Sequence, residues 1–244
     1  MANIKLIIEF DGTGYHGWQS QENAKTVQDT IEAAIVKITG EHSALAGSGR
    51  TDAGVHAIAY VANFRTTSRI PPERFSYALN SVLPDDITIV WSEEAHEDFH
   101  SRFSSTGKKY RYLVCNTEHR PAIMRNRTCH ISEPLDIKLM KEAARQFVGT
   151  YDFSAFMAAG SGVENAIRTI RSVSLEKHGE IISFEIEGSG FLYNMVRIIA
   201  GTLIDVGRGK IPPDAISDII DGKNRNNAGK TAAASGLYLV EVYY

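Results

Sequence analysis

Apolar residues alternate with others at Ile4, Leu6, Ile8 and Phe10, the period of two that predicts a strand. A turn-rich stretch follows, Asp11-Gly12-Thr13-Gly14-Tyr15-His16-Gly17-Trp18-Gln19. The period then becomes helical, with Val27, Ile31, Ala34, Ile35 and Ile38 on one face. Thr26 stands where an N-cap belongs, Asp29 three residues on, and Gly40 where a C′ glycine ends a helix. Ser43 to Gly47 reads as a short strand and Ala57 to Arg65 as a longer one. Pro71-Pro72 opens a helix with Phe75, Ala78, Leu79 and Val82 on one face, ended by Pro84. Ile87 to Trp91 is again a strand. The order is β-α-β-β-α-β.

The second half repeats that order. Lys108 to Asn116 is strand-like, with Tyr110, Tyr112 and Val114 on one face, and Asp136 to Val148 is a helix. Ile167 to Lys177 and Glu180 to Gly188 pair as a hairpin across His178-Gly179. Phe191 to Val206 is an apolar helix, Pro212 to Ile220 a further one, and Leu237 to Tyr244 a closing strand. Two such units predict an α+β protein of two ferredoxin-like halves, with a mixed, mainly antiparallel central sheet. The expected halves are 1–98 and 99–244, joined by the crossover from Glu93 to Phe103. A cleft between them is the default ligand site.

Of the 244 residues, 43% are hydrophobic and 23% charged, enough apolar material for one large core or two small ones. The formal net charge of −3 excludes a basic field over the whole protein. A nucleic-acid partner would need a local basic patch or an assembled oligomer. Cys115 and Cys129 are too few for a zinc site or a disulfide framework, and the histidines are scattered, so no metal is expected. The N-terminal apolar run is broken by Lys5 and Glu9 and is too short for a signal segment. No stretch has the apolar length of a membrane span. The expected location is the cytoplasm.

Within this frame one segment carries chemistry: Gly49-Arg50-Thr51-Asp52-Ala53-Gly54-Val55-His56-Ala57. Glycines on both sides of Asp52 allow a tight turn and close approach of a ligand. Arg50, two residues away, favours an ionised and oriented carboxylate. That arrangement suits a nucleophile or base at neutral pH; it also suits a plain turn, where Asp and Gly are usual. A phosphate loop is excluded, because Ala44 and Arg50 stand at two of its fixed positions. An aspartyl phosphatase would want an acid where Gly54 stands.

Phe99-His100-Ser101-Arg102-Phe103 and Lys108-Lys109-Tyr110-Arg111-Tyr112 interleave cations with aromatics. Such a pattern suits RNA, cations meeting phosphates and rings stacking on unpaired bases. It equally suits a strand with a solvated face and its aromatics in the core. Arg197 lies in a helix otherwise apolar through Leu203 and needs a partner there. That partner is any nearby acid, or Asp52 from the other half.

The set as a whole resembles the TruA family of tRNA pseudouridine synthases. The segments that carry the resemblance are Asp11 to Gln19, Gly49 to Ala57, Phe99 to Phe103, Lys108 to Tyr112, Asp152 to Phe156, Ile167 to Ile170, Phe191 to Arg197 and Gly236 to Leu239. They run in family order over nearly the whole chain. The resemblance implies a pseudouridine synthase fold with Asp52 as the essential aspartate. It implies that Tyr110 packs on the target uracil, Arg197 pairs with Asp52, and Arg50 helps displace the nucleotide. Phe99, His100, Arg102, Phe103, Lys108 and Lys109 would meet RNA, Arg102 foremost. It further implies no metal or cofactor, and a homodimer with one tRNA across both subunits. The implied targets are uridines 38, 39 and 40 of the anticodon stem-loop. Two rivals keep part of this pattern. A non-catalytic RNA-binding protein would not need an ionised Asp52, and a small-molecule lyase or hydrolase would not need so cationic and aromatic a stretch from Phe99 to Tyr112.

Overall fold

The computed structural model describes residues 1–160, 163 and 165–244. The chain divides into two compact units, one of Met1–Thr106 with Tyr238–Tyr244, the other of Gly107–Leu237.

The first unit runs β1 (Ala2–Phe10), α1 (Val27–Thr39), β2 (Ala46–Gly47), β3 (His56–Thr66), α2 (Phe75–Asn80) and β4 (Ile87–Ala95). β1 lies between β3 and β4 and is antiparallel to both, Leu6 facing Ala62 on one side and Ser92 on the other. β2 adds antiparallel to β3, Ala46 facing Asn63. The order β4-β1-β3-β2 is that of a ferredoxin-like unit. The alternating residues of β1 are why: Ile4, Leu6, Ile8 and Phe10 are all buried on one face. α1 begins and ends as its sequence predicts. Thr26 Oγ1 accepts the Asp29 N–H at 3.2 Å, and Gly40 takes the left-handed conformation at φ 75°.

The second unit runs β5 (Gly107–Asn116), β6 (Cys129–Ile131), α3 (Ile137–Arg145), β7 (Gly149–Asp152), β8 (Ile167–His178), β9 (Ile181–Gly188), α4 (Met195–Gly207) and α5 (Ala215–Gly222). Strands β5, β9, β8 and β7 lie side by side, each antiparallel to the next, and β6 joins β5 in parallel. Tyr112, Val114, Phe184, Ile186 and Leu175 form the buried face of this sheet. α3 packs on α4 and β8, and α4 on β5. β6 and β7 are three and four residues long, too short to leave a periodicity in the sequence. α4 starts at Met195, not at Phe191, because Asn194 adopts φ 60° and cannot be helical.

The closing strand, β10 (Leu237–Tyr243), pairs in parallel with β3, Tyr238 facing His56 and Leu239 facing Ala57. This pairing assigns the C-terminus to the first unit, whereas the sequence expectation places it at the end of 99–244. Residues 99–106 also lie with the first unit. Ser101, fully buried, donates its N–H to Asn63 Oδ1 at 2.9 Å and its hydroxyl to the Ala46 carbonyl at 2.6 Å. Its own carbonyl accepts the Tyr244 hydroxyl at 2.7 Å. The class is α+β with mainly antiparallel pairing, β3–β10 and β5–β6 being parallel. No helix among the described residues is long and apolar enough to cross a membrane.

Candidate active site

Asp52 is partly buried in the loop between β2 and β3. The loop closes on itself, Val55 N–H donating to the Asp52 carbonyl at 3.2 Å. Gly54 takes φ 78°, so one of the two flanking glycines is required by the turn. The neighbours of Asp52 are fixed from outside by the stretch 11–19. Trp18 N–H donates to the Thr51 carbonyl and Gly54 N–H to the Tyr15 carbonyl, each at 3.3 Å. Gly17, at φ 86°, approaches so closely that a Cβ there would sit 2.2 Å from the Thr51 carbonyl oxygen.

The stretch 11–19 is itself anchored. The Tyr15 hydroxyl donates to Asp86 Oδ1 at 2.5 Å, and burial together with this bond pushes its pKa well above the ordinary tyrosine value. Gly12 N–H donates to Nδ1 of the buried His56 at 3.1 Å, and the imidazole stacks on Tyr238 with centroids 4.7 Å apart. The Trp18 indole stacks on Tyr60 at 3.9 Å, and the Tyr60 hydroxyl donates to the Gly49 carbonyl at 2.5 Å and accepts the Gly49 N–H at 3.2 Å. Tyr60 and Asp86 are the residues that sequence reasoning missed as parts of this site, while His56 lies within the segment 49–57 but has no role in the sequence reading. Tyr60 reads from its alternation as core, which it is; nothing in the sequence tells where its hydroxyl points. Arg50 is exposed, and its Nε donates to Gln19 Oε1 at 3.2 Å.

Tyr110 and Arg197 belong to the second unit. Tyr110, on β5, is 9% exposed and meets Phe191 edge to face, with centroids 5.1 Å apart. Arg197 lies in the first turn of α4. Its Nε donates to the Ala232 carbonyl at 2.9 Å, and Nη1 to Asn194 Oδ1 at 2.8 Å. The extended segment bearing Ala232 reaches α4 across a face of small residues, where Gly229 N–H donates to the buried Thr202 hydroxyl at 2.9 Å.

The residues expected to meet RNA differ in placement. Phe103 is 76% exposed, touches the His100 ring at 4.4 Å, and lies under the Arg102 guanidinium at 5.5 Å. Phe99 instead packs on Tyr244 at 4.9 Å, with the Lys5 ammonium over both rings. Lys109 is engaged internally. Its ammonium pairs with Glu185 at 2.6 Å, and Arg111 shares that carboxylate at 2.7 Å. Burial works to raise the pKa of Glu185, but the bonds from Lys109 and Arg111 outweigh it and hold the group ionised below its ordinary range. Lys108 is partly buried beside it. His96 and His100, four residues apart, sit on a loop; each uses Nδ1 to accept a backbone N–H, from Asp98 and Arg102.

The chain matches a family model described as tRNA pseudouridine synthase over residues 6–104 and 143–244. The matched stretches contain Asp52 and Arg197; Tyr110 falls between them. The chain is 59% identical over 244 residues to tRNA pseudouridine synthase A of Acetivibrio thermocellus, covering all of both chains. To tRNA pseudouridine synthase A of Ruminiclostridium cellulolyticum it is 54% identical over 245 residues, again across the full length of both. The solved archaeal box H/ACA sRNP Nop10-Cbf5 complex aligns over 83% of this chain and 43% of its own at 13% identity, with a TM-score of 0.39, too distant a likeness to carry an argument. With a family model spanning most of the chain and full-length relatives above half identity, the chain belongs to the TruA family of tRNA pseudouridine synthases.

Proposed function

We propose that this isomerase converts uridines 38, 39 and 40 of the tRNA anticodon stem-loop to pseudouridine, with Asp52 as the essential group. The reaction breaks the N1–C1′ glycosidic bond, turns the uracil and rejoins it through C5, with no atoms gained or lost. A base inside a stem is out of reach, so the nucleotide must be flipped out at roughly a few kcal/mol. Arg50, exposed and two residues from Asp52, would fill the gap the base leaves. An ionised Asp52 then has three routes: attack at C1′, attack at C6, or removal of a sugar proton to give a glycal. Each requires a carboxylate held by a cation in a water-poor site, and Arg197 is that cation in this reading. The Tyr110 ring would stack on the uracil, a contact worth about 1–3 kcal/mol.

The observation that carries the reading is the fixing of Asp52 from both sides. Thr51 and Gly54 are tied to Trp18 and Tyr15, so the backbone of the two residues between them, Asp52 and Ala53, is held before substrate arrives. Such preorganisation costs no rearrangement at the moment of reaction. A solvent-facing capping turn would have no need of it. With a net charge of −3 the chain has no broad basic field, so tRNA must be held by a local basic patch or by an assembled oligomer, and a homodimer as the working unit is part of this proposal. Location in the cytoplasm, where tRNA is processed, belongs to the same proposal.

Release of tritium from tRNA carrying 5-tritiated uridine tests it, because only a reaction at C5 frees that label. Wild type should release it, and a transcript with cytidine at 38, 39 and 40 should abolish release. Asp52→Ala should bind tRNA and release none. Appreciable turnover by Asp52→Ala, or release independent of the three positions, would overturn the proposal.

A further inference from the structure

We infer that Asn194 is a positioning residue for the reaction: it holds the Arg197 guanidinium in one orientation, an inference that rests on the reading of Arg197 as part of the reacting site. Asn194 occupies the N-cap position of α4, where an asparagine ordinarily spends its side chain on a backbone N–H of the first turn. Here it makes no capping bond. Its Oδ1 instead accepts from Arg197 Nη1 at 2.8 Å. Its backbone sits at φ 60°, ψ 7°, the left-handed region that non-glycine residues rarely adopt. Asparagine is among the few that enter it at modest cost. A residue that forgoes its capping bond and holds an unfavoured conformation marks a place where geometry is imposed for use.

The surroundings explain what the strain accomplishes. Asn194 is fixed at its carbonyl, which accepts the Ile198 N–H at 2.9 Å, and the preceding turn is closed by Met195 N–H donating to the Leu192 carbonyl at 3.0 Å. The Tyr193 carbonyl accepts the Ala158 N–H at 3.1 Å. At a second nitrogen of the guanidinium, Nε is held by the Ala232 carbonyl, and Ala232 N–H returns to the Arg197 carbonyl at 3.1 Å. A guanidinium is a rigid plane, so bonds on two different nitrogens fix both where it lies and how it is turned. The backbone carbonyl supplies one of these bonds irrespective of sequence. The other depends on a side-chain oxygen at 194.

Steady-state kinetics of Asn194→Gly, Arg197→Ala and the double variant on tRNA decide the matter. Glycine removes the oxygen and relieves the strain at φ 60°, so the unfolding temperature should not fall. kcat should fall on the order of 10- to 100-fold, as misplacement of a reacting group does, with KM for tRNA unchanged. The double variant should be no slower than Arg197→Ala alone. Asn194→Asp, which keeps an oxygen at the same place, should recover part of the kcat lost in the glycine variant. Wild-type kcat in Asn194→Gly beside a slow Arg197→Ala would overturn this inference and leave the role of Arg197 intact. So would additive losses in the double variant, or a loss of kcat matched by a loss of fold that aspartate does not repair. Wild-type kcat in Arg197→Ala would instead overturn the underlying reading, and the inference with it.

Discussion

The Tyr60 hydroxyl clasps both backbone groups of Gly49, donating to its carbonyl at 2.5 Å and accepting its N–H at 3.2 Å. The ring that carries this hydroxyl is fully buried and stacked on Trp18. A core aromatic of β3 thereby sets where the Asp52 loop leaves the sheet. Tyr60→Phe keeps the ring and the stacking and deletes the two bonds to Gly49. Urea unfolding should show a loss of about 1–3 kcal/mol, the usual net worth of two hydrogen bonds. Single-turnover rates of the folded variant should fall about tenfold or more, with tRNA affinity unchanged. Unaltered turnover would mean that Gly49 is held by other contacts.

Gly17 makes a second such constraint, and it can be isolated. Gly17→Ala places a Cβ 2.2 Å from the Thr51 carbonyl oxygen at a residue whose φ is 86°. Gly209 has φ 70° with nothing within 4 Å of its would-be Cβ. Gly209→Ala should therefore cost only the left-handed penalty, about 1–2 kcal/mol. Gly17→Ala should cost more and abolish turnover, since the alanine must push the backbone beside Asp52 away. Thermal unfolding and activity of the pair separate conformational strain from the clash. Equal behaviour of the two variants would argue against the close approach.

Much of this arrangement is legible in the sequence and some is not, for physical reasons. The limits of α1 follow from Thr26, Asp29 and Gly40 because caps are local interactions. The strands follow from alternation because half-buried strands must alternate. The Asp52 segment stands out because its residue types crowd together. What escapes is whatever depends on pairing between distant segments. β10 joins β3 across more than half the chain, so its membership of the first unit leaves no local trace. Lys109 and Arg111 read locally as a cationic stretch, and only the register of β5 with β9, which sets Glu185 directly opposite Arg111, shows that both share an acidic partner. Arg197 advertises its need for a partner, yet Asn194 lies only three residues away and looks like an ordinary cap.

Alkaline pH should unfold the protein in a definite window. Burial pushes the tyrosines at 15, 112 and 244 well above their ordinary value, and Tyr15 is further raised by its bond to Asp86. A phenol whose folded pKa lies above its unfolded one binds its proton more tightly in the native state. It therefore contributes full stability below the unfolded value of about 10, and loses it as pH rises from there toward the folded value. Ultraviolet titration should show these three phenols ionising only together with loss of structure. Tyr15→Phe should be less stable near neutrality and show a shallower decline above pH 10. Ionisation of all tyrosines within a native fold would refute this account.

Adjacent residues at 99–103 should separate into three kinds of effect on tRNA binding. Arg102 is exposed over Phe103, so Arg102→Ala should weaken binding and reduce the slope of log affinity against log salt by about 1, as loss of one phosphate contact does. Phe103, 76% exposed, offers a ring face but no charge. Phe103→Ala should cost about 1–3 kcal/mol of binding with the salt slope unchanged, the signature of a lost stacking contact. Phe99 has its ring against Tyr244 and beneath Lys5. Phe99→Ala should therefore lower the unfolding temperature, with any loss of affinity following from that. Filter binding at several salt concentrations, alongside thermal unfolding, distinguishes the three. An unchanged affinity in both Arg102→Ala and Phe103→Ala would remove this segment from the RNA surface, since the two most exposed groups it offers would then be doing nothing there.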